Sequence, residues 1–267
     1  MRFSPEQLRS ALAVLDAKDA SFKKLTEIAG LRPDRDLCGA DLRRVDFGDD
    51  DFSGFDFAGT DLAGANLSRA RGLREDMFVG IHDDATTRWP DGLRERIRGF
   101  DVEKAARALI LGGRAPPRSW RPFIRKLDLS APFEDWLENQ NKADKPSEGI
   151  PLAFARTDLL AGLSALESLN LAYTKVGDIA PLAGLSALQS LDLTHTRVSD
   201  IAPLAGLSAL QSLHLDNTQV SDIAPLAALR NCNIYWHEPP RAKSSRKRTP
   251  KKTKPAPPPP PASAGRS

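Results

Sequence analysis

The residues able to carry chemistry are few: four histidines, two cysteines and a run of aspartates. His195 and His214 recur near Asp192 and Asp216, and four such side chains turned to one point would suit zinc, which needs three or four convergent ligands. On a solvated binding face the same residues serve as contacts instead, and no metal site is expected. Asp46, Asp49, Asp50, Asp51 and Asp56 suggest calcium by charge alone. A calcium loop needs oxygen ligands at set spacing, a turn glycine and a closing Glu, and that pattern is missing. Cys38 and Cys232 have no metal or disulfide spacing. Gly112-Gly113 lacks the Lys-Ser/Thr that completes a phosphate loop. No nucleophile–base arrangement emerges around His82, His195, His214 or His237. The expectation is a chain with no catalytic residues and no cofactor.

What must position these side chains is a repeat. Residues 186–207 read SALQSLDLTHTRVSDIAPLAGL and residues 208–229 read SALQSLHLDNTQVSDIAPLAAL, matching at 17 of 22 positions. A third copy covers 164–185. Such a period marks a stacked solenoid, in which no unit buries its apolar face alone. Leu188, Leu191, Leu193, Val198, Ile201, Leu204 and Leu207 are core positions in the middle copy, and alternation over 190–194 predicts a short strand. Asp200 is placed to cap the turn at Ile201-Ala202-Pro203.

The frame L-x-x-L-x-L-x-x-T-x-V-x-D-I-A-P-L-A-G-L resembles the leucine-rich repeat, in its 22-residue internalin-like class. That resemblance implies a recognition scaffold whose strands line a concave face. The family usually has Asn after the strand, where this chain has Thr174, Thr196 and Thr218. The spacing predicts a first strand at 126–130 and a closing one at 234–236, with Cys232 and Tyr235 in leucine places and a polar insertion at 138–149.

The last two copies differ at Asp192/His214, Thr194/Asp216, His195/Asn217, Arg197/Gln219 and Gly206/Ala228. Most of these differences are polar and fall on the strand or the loop after it. The expected partner-binding patch is therefore Asn170, Tyr173, Asp192, Thr194, His195, His214, Asp216 and Asn217. Its expected occupant is a protein.

A second period lies nearer the N-terminus. Leu37, Leu42, Phe47, Phe52, Phe57, Leu62 and Leu67 recur every five residues, each preceded by Asp or Asn. Five fits neither a helix nor a strand. It fits a square coil with one inward residue per side, four units to a turn. The run resembles the pentapeptide repeat A-(D/N)-L-x-x, matched in full by residues 65–69. Some members of that family mimic DNA, so an acidic regulator is a secondary possibility.

The fold class expected is an α+β solenoid: a short right-handed pentapeptide-repeat β-helix and a leucine-rich-repeat array, joined by helices, with a disordered tail. The divisions expected are a helical cap (1–33), the β-helix (34–75), a helical joint (76–125), the array (126–237) and the tail (238–267). Residues 239–267 hold nine Lys/Arg and no acid, leaving 29 basic against 35 acidic residues before them. That basic, proline-rich tail cannot bury a core and offers a weak nucleic-acid contact as the competing function. No run approaches the length of a membrane span and no apolar leader is visible. A cytoplasmic location is the simplest expectation, and the oligomeric state stays open.

Overall fold

The computed structural model describes residues 21–131 and 154–237. Residues 1–20 of the expected helical cap, the polar insertion and the tail lie outside the described residues. Helix α1 (Phe22–Ile28), within the expected helical cap, starts where Ser21 Oγ accepts from the Lys24 amide at 3.4 Å. Gly30 follows it at φ +68°, the left-handed geometry that favours glycine just past a helix end.

The five-residue beat forms the coil it predicts. Phe47, Phe52, Phe57, Leu62 and Leu67 are all fully buried. Parallel bridges join Asp41 to Asp61, Asp46 to Asn66 and Asp51 to Arg71, twenty residues apart, which is four units per turn. The Asp or Asn before each inward residue holds its own corner. Asp46 accepts from the Gly48 amide at 2.9 Å, Asp51 from Ser53 at 2.9 Å, Asp56 from Ala58 at 3.0 Å and Asp61 from Ala63 at 3.1 Å. These are side-chain turns that tie a short acid to the backbone two residues on. Asp50, at a nominally inward place, is half-buried and accepts from the Lys23 amide of α1 at 3.2 Å.

The coil runs further than its motif. Phe57 donates to Met77 O, Gly59 to Val79 O, Leu62 to His82 O and Leu67 to Arg88 O, at 2.7–2.9 Å. Residues 77–88 thus lay a third course on the second, although the boundary drawn from sequence at 75 places them in the joint. Asp84 binds this course down. Its Oδ1 accepts from the hydroxyl of Thr86 (2.7 Å) and the amides of Thr86 (2.9 Å), Thr87 (3.0 Å) and Gly64 (3.1 Å). Those donors, the Thr86 hydroxyl first, pull its pKa down to about 2.

Helices α2 (Leu93–Gly99) and α3 (Val102–Leu111) follow, α3 capped by Asp101, with Ala106 and Ile110 buried. Trp120 donates its indole N–H to Asp76 O at 3.1 Å and packs edge-on to Phe100. The Phe123 ring lies against Gly80 and Gly59. Ala58 and Val79 of the coil join Trp120, Ile124 and the leucines of the array in one apolar cluster. The array's core thus reaches the coil through this joint, beside the coil's own core of Phe47, Phe52, Phe57, Leu62 and Leu67.

The array is a five-stranded parallel sheet in the order β1 (Lys126–Asp128), β2 (Ser168–Asn170), β3 (Ser190–Asp192), β4 (Ser212–His214) and β5 (Asn233–Tyr235). Its edge at β1 is covered by α3: Glu103 accepts from the Arg125 and Lys126 amides, and Arg107 donates to Asp128 O at 2.6 Å. Covering an edge removes a template for unwanted strand pairing. Short 3-10 turns return the chain behind the sheet at Ala180–Gly184, Ala202–Gly206 and Ala224–Leu226. Asp178, Asp200 and Asp222 each accept an amide at the head of a turn, at 2.8–2.9 Å. Thr174, Thr196 and Thr218 donate to the carbonyl three residues back at 2.6–2.7 Å, filling part of the role of the usual Asn.

One expectation fails at the far end. β4 pairs with β5 in a register that sets Leu213 beside Ile234 and His214 beside Tyr235. The last coil is one residue short, so Ile234 takes the leucine place. Tyr235 stands outside, 49% exposed. Cys232 keeps its leucine place, half-buried against the core.

Candidate functional site

Strand register and turn geometry bring all eight expected patch residues to one side of the sheet, in three rows. The first row is Asp128, Asn170, Asp192, His214 and Tyr235, matched pair by pair along the ladder. Its early members are occupied with their own turns. Asp128 accepts from the Ser130 amide at 3.0 Å, Asn170 from Ala172 at 3.0 Å and Asp192 from Thr194 at 2.8 Å. His214 has no oxygen to do this. Its ring stacks on Tyr235 instead, centroids 4.3 Å apart and planes 9° from parallel.

The second row holds Ala172, Thr194 and Asp216. Thr194 and Asp216 give their carbonyls to the Tyr173 and His195 amides at 2.9 Å. The Asp216 carboxylate lies 2.5 Å from Nδ1 of His237. The third row is Tyr173, His195 and Asn217, with φ of 61°, 56° and 56°. Asn tolerates that left-handed geometry, whereas Tyr and His take it at a cost of about 1 kcal/mol. Tyr173 stacks on His195 at 4.9 Å, and the Asn217 amide meets His195 Nε2 at 3.0 Å. Of the eight residues, Asn217 alone is exposed and the rest are half-buried, so neighbours already hold them in place.

Sequence reasoning missed Tyr235 and His237, which complete the first and second rows. The signal was Ile234, a better core residue than Tyr235, which fixes the shorter last coil once it is aligned with Leu213.

Ser212 Oγ lies 3.3 Å from His214 Nε2, the contact a nucleophile and its base would make. Among the described residues no carboxylate hydrogen-bonds the other nitrogen of that ring, so the orienting third member of such a group is missing. Also among the described residues, no three His, Cys, Asp or Glu side chains gather as a metal would require. No described helix is long and apolar enough to cross a membrane. What the face offers is shape, stacking surface and hydrogen-bonding groups.

In the coil the acidic rows do not stand alone. Asp51 faces Arg71 and Asp61 faces His82 in the next course. Arg43 pairs with Asp41 at 2.6 Å and pulls that carboxyl down to about 2.

Comparison with known proteins agrees with both repeats. Leucine-rich repeats match residues 164–205 and 186–228, and pentapeptide repeats match residues 40–71. No curated protein matches the chain. Similar solved structures include an internalin of Listeria monocytogenes at 17% identity, over 86% of this chain and 54% of that one, with a TM-score of 0.33. Internalin C2 of the same organism matches at 19% identity, over 86% and 92%, with a TM-score of 0.30. A leucine-rich-repeat protein of Leptospira interrogans matches at 15%, over 69% and 55%, with a TM-score of 0.34. This chain spans about half the length of the first and third of these.

Proposed function

From the premise that this chain carries leucine-rich repeats over 164–228 and pentapeptide repeats over 40–71, we propose that it is a non-catalytic scaffold that recognises a protein partner. The contact surface is the concave side formed by the sheet, comprising Asn170, Tyr173, Asp192, Thr194, His195, His214, Asp216 and Asn217, extended by Tyr235 and His237. One observation carries this reading. Two copies identical at most positions differ at three successive sheet-face sites, Asp192/His214, Thr194/Asp216 and His195/Asn217, while the leucines behind them stay fixed and buried.

The energetics suit binding. A face held by strands and shared side-chain contacts loses little conformational freedom on association. The His214–Tyr235 pair supplies flat aromatic area of the kind that dominates protein contacts. The test is a photo-crosslinking amino acid placed at position 214 in one full-length variant and at 200, behind the sheet, in another. A discrete protein captured from 214 and absent from 200 supports the sheet face. Equal capture from both positions, or capture from 200 alone, removes it.

A further inference from the structure

A cavity of about 290 Å³ lies where the third course of the coil meets α2 and α3. Its walls are mostly apolar, with the Trp89, Phe100 and Phe123 rings prominent among them, and its polar lining is Asp83, Arg94 and Arg98. Small-molecule sites have this composition: apolar walls with a few fixed polar groups. The volume sits at the small end of that class and suits one aromatic ring with a short arm.

The polar lining is uneven. Asp83 already receives the Trp89 indole N–H at 3.1 Å and lies 2.8 Å from Arg94 Nε. Arg94 also donates through Nη2 to Asp84 O at 2.8 Å. Arg98 is exposed and forms no ion pair among the described residues. With Asp83 balanced by Arg94, the cavity lining carries one surplus positive charge, that of Arg98.

We propose that this cavity binds an apolar, preferably aromatic, group bearing a carboxylate. The ring lies among Trp89, Phe100 and Phe123, and the carboxylate meets the charge of Arg98 at the rim. This site is separate from the sheet face and stands or falls independently of it. Its two natural sources are a free aryl carboxylate and the C-terminal residue of a protein ending in an aromatic side chain.

The test is a titration of the full-length chain with phenylacetate, followed by the indole N–H resonance of Trp89. A saturable shift is expected, with binding at least about tenfold weaker for the neutral phenylacetamide and for Arg98→Gln. The exposed Arg98 side chain lies outside the core, so the variant should remain folded. A tripeptide Ala-Ala-Phe with a free carboxylate, set against its amide, separates the sources. Tighter binding than phenylacetate assigns the site to a chain terminus, and weaker binding assigns it to the free acid. No saturable shift by about 10 mM, or equal binding of acid and amide, overturns the proposal.

Discussion

The two solenoids solve one problem with the same device and then part company. In the N-terminal coil, Asp46, Asp51, Asp56 and Asp61 each fold back onto the amide two residues on. In the array, Asp128, Asn170 and Asp192 do the same after successive strands. The coil keeps the arrangement from Asp46 to Asp61 and gives it up in the next course, where Arg71, His82 and Arg88 take the corner places, whereas the array gives it up at His214 and Tyr235. Where the short acid persists, its identity is accounted for by the turn. Where it has been replaced by a stacked aromatic pair, local structure no longer dictates the residue. On the proposed reading the C-terminal half of the sheet face is where recognition would be concentrated, and Asn170 and Asp192 serve the scaffold through their turn bonds.

The cores differ in parallel. The coil is filled by phenylalanines, with Phe47 and Phe57 rings 5.6 Å apart and Phe57 stacked on Phe78 at 5.4 Å. The array is filled by leucines. Phe57→Ala should cost about 3–5 kcal/mol and Leu191→Ala about 2–5 kcal/mol in denaturant unfolding. Because Ala58 and Val79 belong to the array's cluster, each variant should still unfold in one transition. Two separate transitions would show that the solenoids are independent.

Gly80→Ala attacks the same coupling at its seam. A Cβ there would overlap the Phe123 ring, at a φ of +67° that side chains resist. Calorimetry should split one transition into two, the coil melting first. A single transition with unchanged midpoint would mean that the ring moves aside freely.

A smaller effect separates the regions by pH. The Asp84 carboxylate, pulled to about 2 by its donors, stabilises the third course above the ordinary carboxylate range near 4. That contribution is lost as pH falls through about 2. The amide resonances of Gly64, Thr86 and Thr87 should titrate together near that lower value and stay flat in Asp84→Asn. A midpoint near 4 would mean that the carboxylate does not hold this corner.

Much of this was legible in the sequence because both repeats bury a residue at a strict interval. Leu37 through Leu67 and Leu188 through Leu207 announce their own cores. The third course was not legible, since the segment after Arg71 breaks the five-residue beat. It meets the second course 21 and 22 residues on, at His82 and Arg88. The left-handed backbone at Tyr173 and His195 carries no glycine or asparagine to betray it. The place of Tyr235 depended on a single missing residue in the last coil.

The most direct test compares two substitutions in one row, His214→Asn and Asp192→Asn, for affinity to the protein captured from position 214. Asn at 214 restores the turn bond while removing the stack, so stability should stay within about 1 kcal/mol of the parent. Binding by His214→Asn should fall about tenfold or more, while Asp192→Asn, which keeps its turn bond, should lose less than about threefold. The reverse order, with His214→Asn binding normally and Asp192→Asn failing, would contradict the claim that recognition resides where the scaffold has released its residues.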